Sequence, residues 1–169
     1  MRHPATLRLD SKDERQRRRA VRKLFEVNDS INLVSFVPLL EDDDQWYRER
    51  AMEAITKWAG INDIVIVNKL SNSEYVEQRV LASKMSLRLG QEKLEIIDKL
   101  CNDKDIAVRI AGWESKFQLG NDKIDELILE GLKSKDNIIR KISINKLSKM
   151  KNVDVQIIIT ALKDDSYVV

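Results

Sequence analysis

DDDQWYRERAMEAITKWAG, residues 42–60, holds an acidic turn, an arginine one turn into a helix, a small residue three places later, an apolar stripe and a glycine. The same phrase recurs along the chain. Arg17, Arg48, Arg79, Arg109 and Arg140 stand at spacings of 31, 31, 30 and 31. Three residues after each comes a small one: Ala20, Ala51, Ala82, Gly112 and Ser143. Ten residues after each comes an apolar one: Val27, Trp58, Leu89, Leu119 and Met150. Asp13, Asp44, Asp105 and Asp136 precede four of the arginines by four places; Tyr75 holds that position in the third copy, beside Glu74. A period of this length is the mark of a stacked repeat.

Each copy can be read physically. The aspartate is placed to accept hydrogen bonds from free N–H groups at a helix start, where the dipole favours negative charge. Offsets +3, +4, +7 and +10 share one helical face, so Ala51, Met52, Ile55 and Trp58 are expected to be buried together. A small residue at +3 admits a neighbouring helix. Gly60, Gly90 and Gly120 are expected to close their helices in the left-handed region. Between the arginine-bearing helices lie shorter apolar segments at 30–41, 61–71, 91–102, 122–134 and 152–163. Ile64, Val65, Ile66 and Val67 favour a strand by composition, but the register of the other copies assigns a helix. Pro38 is expected to kink its helix or to lie near its start. The unit is helix, turn, helix, and ten helices are expected from about Ser11 to Lys163. This is an all-α fold, an α-solenoid of about five helix-turn-helix repeats of about 31 residues, in a single domain over 1–169. The opening residues MRHPATLRL are expected to be frayed or an irregular cap. Residues 164–169 match the approach to another copy, so the array is expected to continue.

Composition narrows the class. Thirty Lys and Arg against 28 Asp and Glu leave a net charge of +2 in 169 residues, which compels neither a nucleic-acid nor a membrane partner. No apolar run approaches the roughly 20 residues a bilayer span needs. The one cysteine, Cys101, has no disulfide partner within the chain and suits a reducing cytoplasm; it reads as a small core residue. One histidine and one distant cysteine do not make a zinc site. There is no nucleophile–histidine pairing and no phosphate-binding glycine loop, so the sequence reads as non-enzymatic, with no cofactor, no metal and no small-molecule substrate. Asp42, Asp43 and Asp44 lack the spacing and glycine of a calcium loop and read as a turn and a cap.

With these columns in place, the chain resembles the HEAT-repeat family, in particular its short prokaryotic type, the PBS-lyase HEAT-like repeat. The resembling stretches are LLEDDDQWYRERAMEAITKWAG (39–60), LCNDKDIAVRIAGWESKFQLG (100–120) and LKSKDNIIRKISINKLSKM (132–150). The resemblance implies a HEAT-like superhelix in which the aspartate six places before each arginine (Asp42, Asp103 and Asp164) pairs with arginines in a ladder. Ser11, Ser73 and Ser134 depart from that pattern in three copies. Some members of the family are enzymes. Deoxyhypusine hydroxylases hold iron with His-Glu pairs, whereas the lone histidine here is His3. Bilin lyases attach pigments to phycobiliproteins, and no residues here mark a chromophore pocket. Helical-repeat DNA glycosylases use aromatic and acidic residues in a basic cleft. Trp58 and Trp113 fall at core-facing offsets, which leaves Trp46 as the tryptophan expected at the surface.

What remains is the helix face opposite the core, at +2, +5 and +9. It carries Arg19, Arg22, Arg50, Lys57, Lys84, Arg88 and Lys149 against Glu26, Glu53 and Glu114. The resemblance places these helices on the concave side of the solenoid. Partner-binding residues are expected to be Arg19, Arg22, Trp46, Arg50, Lys57, Lys84, Arg88 and Lys149. The function expected is a scaffold mediating protein–protein interaction; the alternative is nucleic-acid binding along the basic ridge, where counterion release would drive association.

Overall fold

Ten α-helices occur among the described residues, 2–89, 94–150 and 154–163, of the computed structural model of the chain. They fall into two compact units, residues 1–66 and 67–169. The first holds α1 (Glu14–Val27), α2 (Leu33–Phe36) and α3 (Gln45–Trp58). The second holds α5 (Val76–Leu89), α6 (Leu94–Cys101), α7 (Ile106–Leu119), α8 (Ile124–Leu132), α9 (Asn137–Leu147) and α10 (Val155–Leu162). The boundary falls inside α4 (Ile64–Ser71), which is helical despite its β-branched opening. The expected all-α, helix-turn-helix solenoid is what the chain forms.

In the second unit the arginine-bearing helices stack in order, α5 on α7 and α7 on α9. The shorter helices pack beside them: α6 on α7, α8 on α9, and α10 on α8. Ile97, Trp113, Phe117, Ile128, Ile139 and Ile157 form the centre of the core. At Gly112 the close approach expected of the small column is realised. A Cβ there would lie 2.8 Å from the backbone nitrogen of Cys101 and 2.9 Å from the carbonyl carbon of Leu100. Trp113 is buried, as its offset requires, and packs against Phe117 with ring centroids 5.6 Å apart.

The first unit buries Val21, Leu24, Phe36, Leu40, Tyr47 and Ile55. Phe25, Phe36 and Trp58 pack as an aromatic cluster with centroids 5.3–5.6 Å apart. Trp58 Nε1 donates to Asn28 Oδ1 at 3.2 Å. Pro38 stands near the start of a 3₁₀ turn (Val37–Glu41), which follows the single turn of α2. The ring has no N–H to lose at that position. The opening residues are not frayed. Pro4–Arg8 forms a 3₁₀ turn, Leu9 is buried, and the His3 backbone N–H donates to the side-chain oxygen of buried Asn32.

Three expectations need correction. Gly60 and Gly120 do not adopt the left-handed region: α3 ends on Ala59 in extended backbone, and Gly120 has φ −89°. The left-handed cap is Asn28, φ 53°, at the end of α1. Gly90 lies outside the described residues. The +10 column sits at the edge of the core, with Val27 exposed and Trp58, Leu119 and Met150 half-buried. Side-chain burial at Leu89 is outside the described residues. Helix length explains this. An eight-residue helix such as α6 spans about 12 Å at 1.5 Å per residue, and a fourteen-residue one such as α7 about 21 Å, so the longer helix outruns its cover. The third correction concerns the outward face: Ala111, at +2 in the fourth copy, is buried, and Leu81 and Ile142 are half-buried. Ile142 packs against the core and shares a groove with Glu114 and Gln118 of α7.

Two positions on the shorter helices follow the core through four copies. Twelve and eight places before the arginine stand Phe36 and Leu40, Val67 and Ser71, Ile97 and Cys101, and Ile128 and Leu132, all buried. On α10, Ile158 and Leu162 continue this spacing but are 41% and 81% exposed. Cys101 is packed under Gly112, and burial pushes its thiol up to about 12. At neutral pH the thiol is protonated and poorly nucleophilic. Ellman's reagent is therefore expected to leave native protein unlabelled and to titrate one thiol per chain in 6 M guanidinium; labelling of folded protein within minutes would contradict this.

Candidate partner-binding surface

The arginine column, the first feature a ligand might be expected to use, is occupied within the fold. In four copies one terminal nitrogen donates to the two carbonyls that precede the helix. Arg48 bonds Asp42 O and Asp43 O, Arg79 bonds Ser73 O and Glu74 O, Arg109 bonds Asp103 O and Lys104 O, and Arg140 bonds Ser134 O and Lys135 O, at 2.8–3.3 Å. Arg17 donates instead to Leu9 O. In three copies the rest of the guanidinium reaches a carboxylate in the next copy. Arg17 pairs with Asp42, Arg79 with Asp103 at 2.8 and 3.1 Å, and Arg109 with Asp136 at 2.7 and 3.2 Å.

The interruption of the ladder by serine has a simple account. At six places before the arginine the side chain accepts the N–H two residues on, whether it is Ser11, Asp42, Ser73, Asp103 or Ser134. Ser and Asp both make this turn. The ladder carboxylate comes from that column at Asp42 and Asp103. Where the column holds Ser134, the capping residue Asp136 supplies it instead. Asp164 lies outside the described residues. The capping aspartates behave as expected: Asp13, Asp44, Asp105 and Asp136 each accept the N–H two residues into their helix.

The residues singled out for binding fall in both units. In the first, Arg19, Arg22 and Lys57 are exposed. Trp46 is half-buried rather than free. Its ring packs edge-on against Tyr47 at 4.9 Å, with the Arg18 guanidinium 5.1 Å and that of Arg50 5.9 Å from its centroid. An arginine on an aromatic face is favourable, so Trp46 is already occupied by the chain's own cations. Arg50 also pairs with Glu53 at 2.5 Å. Arg18 pairs with Glu14 at 2.7 Å and Asp44 at 3.2 Å, and Lys23 with Glu26 at 3.1 Å. The Lys57 ammonium lies 5.6 Å from the Trp58 ring centroid.

In the second unit Lys84, Arg88 and Lys149 are exposed. Lys149 borders a shallow groove of about 470 Å³ with Glu114, Gln118, Ile142, Asn145 and Lys146. Its lining is mixed in charge. Sequence reasoning missed Lys116, which stands at the core-facing +7 offset. Its ammonium joins Asp98 of α6 at 3.0 Å and Glu130 of α8 at 2.9 Å, and sits 5.1 Å from the Trp113 ring centroid. A charge at a core offset, with carboxylates in both flanking helices, was the available signal. Among the described residues no group of three or more His, Cys, Asp or Glu is placed to hold a metal, and no helix is long and apolar enough to cross a membrane.

No protein-family model and no curated protein sequence matches the chain. Its structure is similar to that of a chain in the complex of CpcE and CpcF of phycocyanin lyase from Nostoc sp. PCC7120. The TM-score is 0.51, with 94% of this chain and 72% of that chain covered at 16% sequence identity. At that identity the likeness is one of fold, and it agrees with the HEAT-like helical repeat read from the arginine columns.

Proposed function

We propose that the chain is a HEAT-like repeat scaffold that binds a protein partner through the outward residues of its arginine-bearing helices, with no chemistry of its own. The observation that carries this reading is the pairing of the surface cations. On the ridge of the first unit Arg50 pairs with Glu53, and beside it Lys23 pairs with Glu26 and Arg18 with Glu14 and Asp44, so acids and bases interleave along these helices. A phosphate backbone selects unpaired cations, because its affinity comes from releasing counterions. A protein surface is suited to mixed charge, which sets orientation and specificity. The similar solved structure is itself a complex of two proteins, which agrees with a protein partner here.

The test is site-specific photo-crosslinking in cells. A benzophenone amino acid at Glu53, Lys84 or Lys149 is expected to trap one protein species. The same probe at Glu95 or Asp125, exposed on the shorter helices α6 and α8, is expected to trap none. Reversing Arg19, Arg22, Lys84 and Arg88 to Glu is expected to lower the yield about tenfold. The reading falls if the crosslinked material is nucleic acid, or if the probes trap nothing above the background of the control positions.

A further inference from the structure

We propose that the groove between the opening 3₁₀ turn and α1 binds a short acidic peptide segment through one apolar side chain and flanking carboxylates. This specifies the partner for one part of the scaffold surface, and so rests on the protein-binding reading above.

Residues 2–23 carry nine Lys and Arg against three acids, Asp10, Asp13 and Glu14. The 3₁₀ turn Pro4–Arg8 folds back along α1 and leaves a groove of about 480 Å³. Arg8 borders it from the turn; Gln16, Arg19 and Lys23 border it from α1; no carboxylate lines it among the described residues. Arg8 and Arg19 make no side-chain hydrogen bond or ion pair among the described residues, unlike Arg17, Arg18, Arg50 and Lys23, which all meet carboxylates. Lys23 pairs with Glu26 and Arg19 lies in the field of Asp13, but neither acid lines the groove, so its lining is cationic. Apart from His3, the remaining lining is apolar: Pro4, Ala5, Leu7 and Ala20. Leu7 is 86% exposed.

The turn itself is held in place. The His3 N–H donates to Asn32 Oδ1, His3 Nδ1 accepts from Ala5 N–H, and the Arg17 Nε–H donates to Leu9 O at 2.6 Å. The groove is thus preformed, which lowers the ordering cost of binding. Two unpaired guanidiniums beside an ammonium suit carboxylates, which arginine binds in bidentate fashion. The apolar wall separates an acidic peptide from a nucleic-acid backbone. A phosphate track gains nothing from Leu7 and Pro4, whereas a leucine or valine between acids fills the apolar side while its neighbours meet the cations.

The experiment is fluorescence anisotropy of the whole 169-residue chain with a labelled octapeptide of Asp and Glu around a single leucine. Saturable binding that weakens with added salt is expected. Replacing that leucine with glycine in the peptide is expected to weaken binding at least threefold, and Leu7→Ser in the protein to do the same. Arg8→Glu with Arg19→Glu is expected to weaken it about tenfold or more. Both arginines are exposed and unpaired, so the variant's melting temperature should match the parent's. Amide shifts on titration are expected at Ala5, Leu7 and Ala20. The proposal is overturned if the arginine variant binds as well as the parent, if the glycine peptide binds as well as the leucine peptide, or if a single-stranded RNA of equal charge binds more tightly than the leucine peptide. Probes at Glu53, Lys84 and Lys149 do not line this groove, so failure here leaves the crosslinking test of the scaffold reading separately decidable.

Discussion

Arg79→Ala is expected to destabilise the second unit by about 3–5 kcal/mol, because it removes one partner of a buried ion pair. The side chains of Arg79 and Asp103 are 6% and 11% exposed. Arg79 meets both carboxylate oxygens of Asp103 and the carbonyls of Ser73 and Glu74. Alanine leaves a desolvated carboxylate and two carbonyls without their donor. Arg79→Lys is expected to recover little, since one ammonium lacks the planar fork that serves carbonyls on one side and a carboxylate on the other. Urea unfolding followed by circular dichroism measures the change. A loss under 1 kcal/mol would show that the clamp is dispensable.

The pH dependence of that loss identifies its source. Burial alone would raise the Asp103 carboxyl, but hydrogen bonds from Arg79 and from the Asp105 N–H, with the Arg79 charge, hold it below its ordinary 3.8. A depressed carboxyl contributes stability that is fully present above the unfolded value and is lost as pH falls through the folded one. Without Arg79 that depression diminishes. The cost of Arg79→Ala is therefore expected to be larger at pH 7 than at pH 3. An equal cost at both would assign the effect to the Ser73 and Glu74 carbonyls alone.

Much of this clamp is legible in the sequence. Spacing alone located Arg79, and the aspartate column located the helix starts, because a cap and its helix are joined by local geometry. The residues that depend on lateral neighbours were less legible. Helical phase marks Trp46 as off the core, but nothing in phase says that Arg18, from another helix, covers it. Lys116 violates its column, and only the stacking of α6 and α8 around α7 explains why. Ser134 looked like a gap in the ladder. It is filled by Asp136, two residues on, a substitution visible once the Arg109 guanidinium has a position. The surface was the least legible part. The outward offsets supplied the basic residues, and the structure showed that one of them, Arg50, is already matched with Glu53, while its neighbours Arg18 and Lys23 meet acids of their own. Charge counting along a helix face registers each side chain singly and misses such pairing.

Gly112→Val is expected to cost about 3 kcal/mol or more, and Gly112→Ala about 1–2 kcal/mol, by overpacking the contact of α7 with α6. On propensity alone the alanine variant should gain about 1 kcal/mol, since glycine inside a helix is unfavourable. Geometry decides against it. The new Cβ would meet the Cys101 nitrogen at 2.8 Å and the Leu100 carbonyl carbon at 2.9 Å, and both are backbone atoms of a neighbouring helix, with no rotamer to change. The only relief is to move α6 away from α7, which opens the packing around buried Leu100, Trp113 and Ile128. Gly60→Ala supplies the opposite sign. A Cβ there has no atom within 4 Å, and Gly60 is outside the left-handed region, so alanine is expected to stabilise by about 0.4–1 kcal/mol through the unfolded chain. The sequence placed the two glycines in different roles, Gly112 in the small +3 column and Gly60 as a helix stop. Opposite signs in thermal unfolding would show that the solenoid is set by the closest approach of its helices, at the +3 column, and not by the residues that end them. If Gly112→Ala stabilised the protein as Gly60→Ala does, the tight α6–α7 contact would have to be given up.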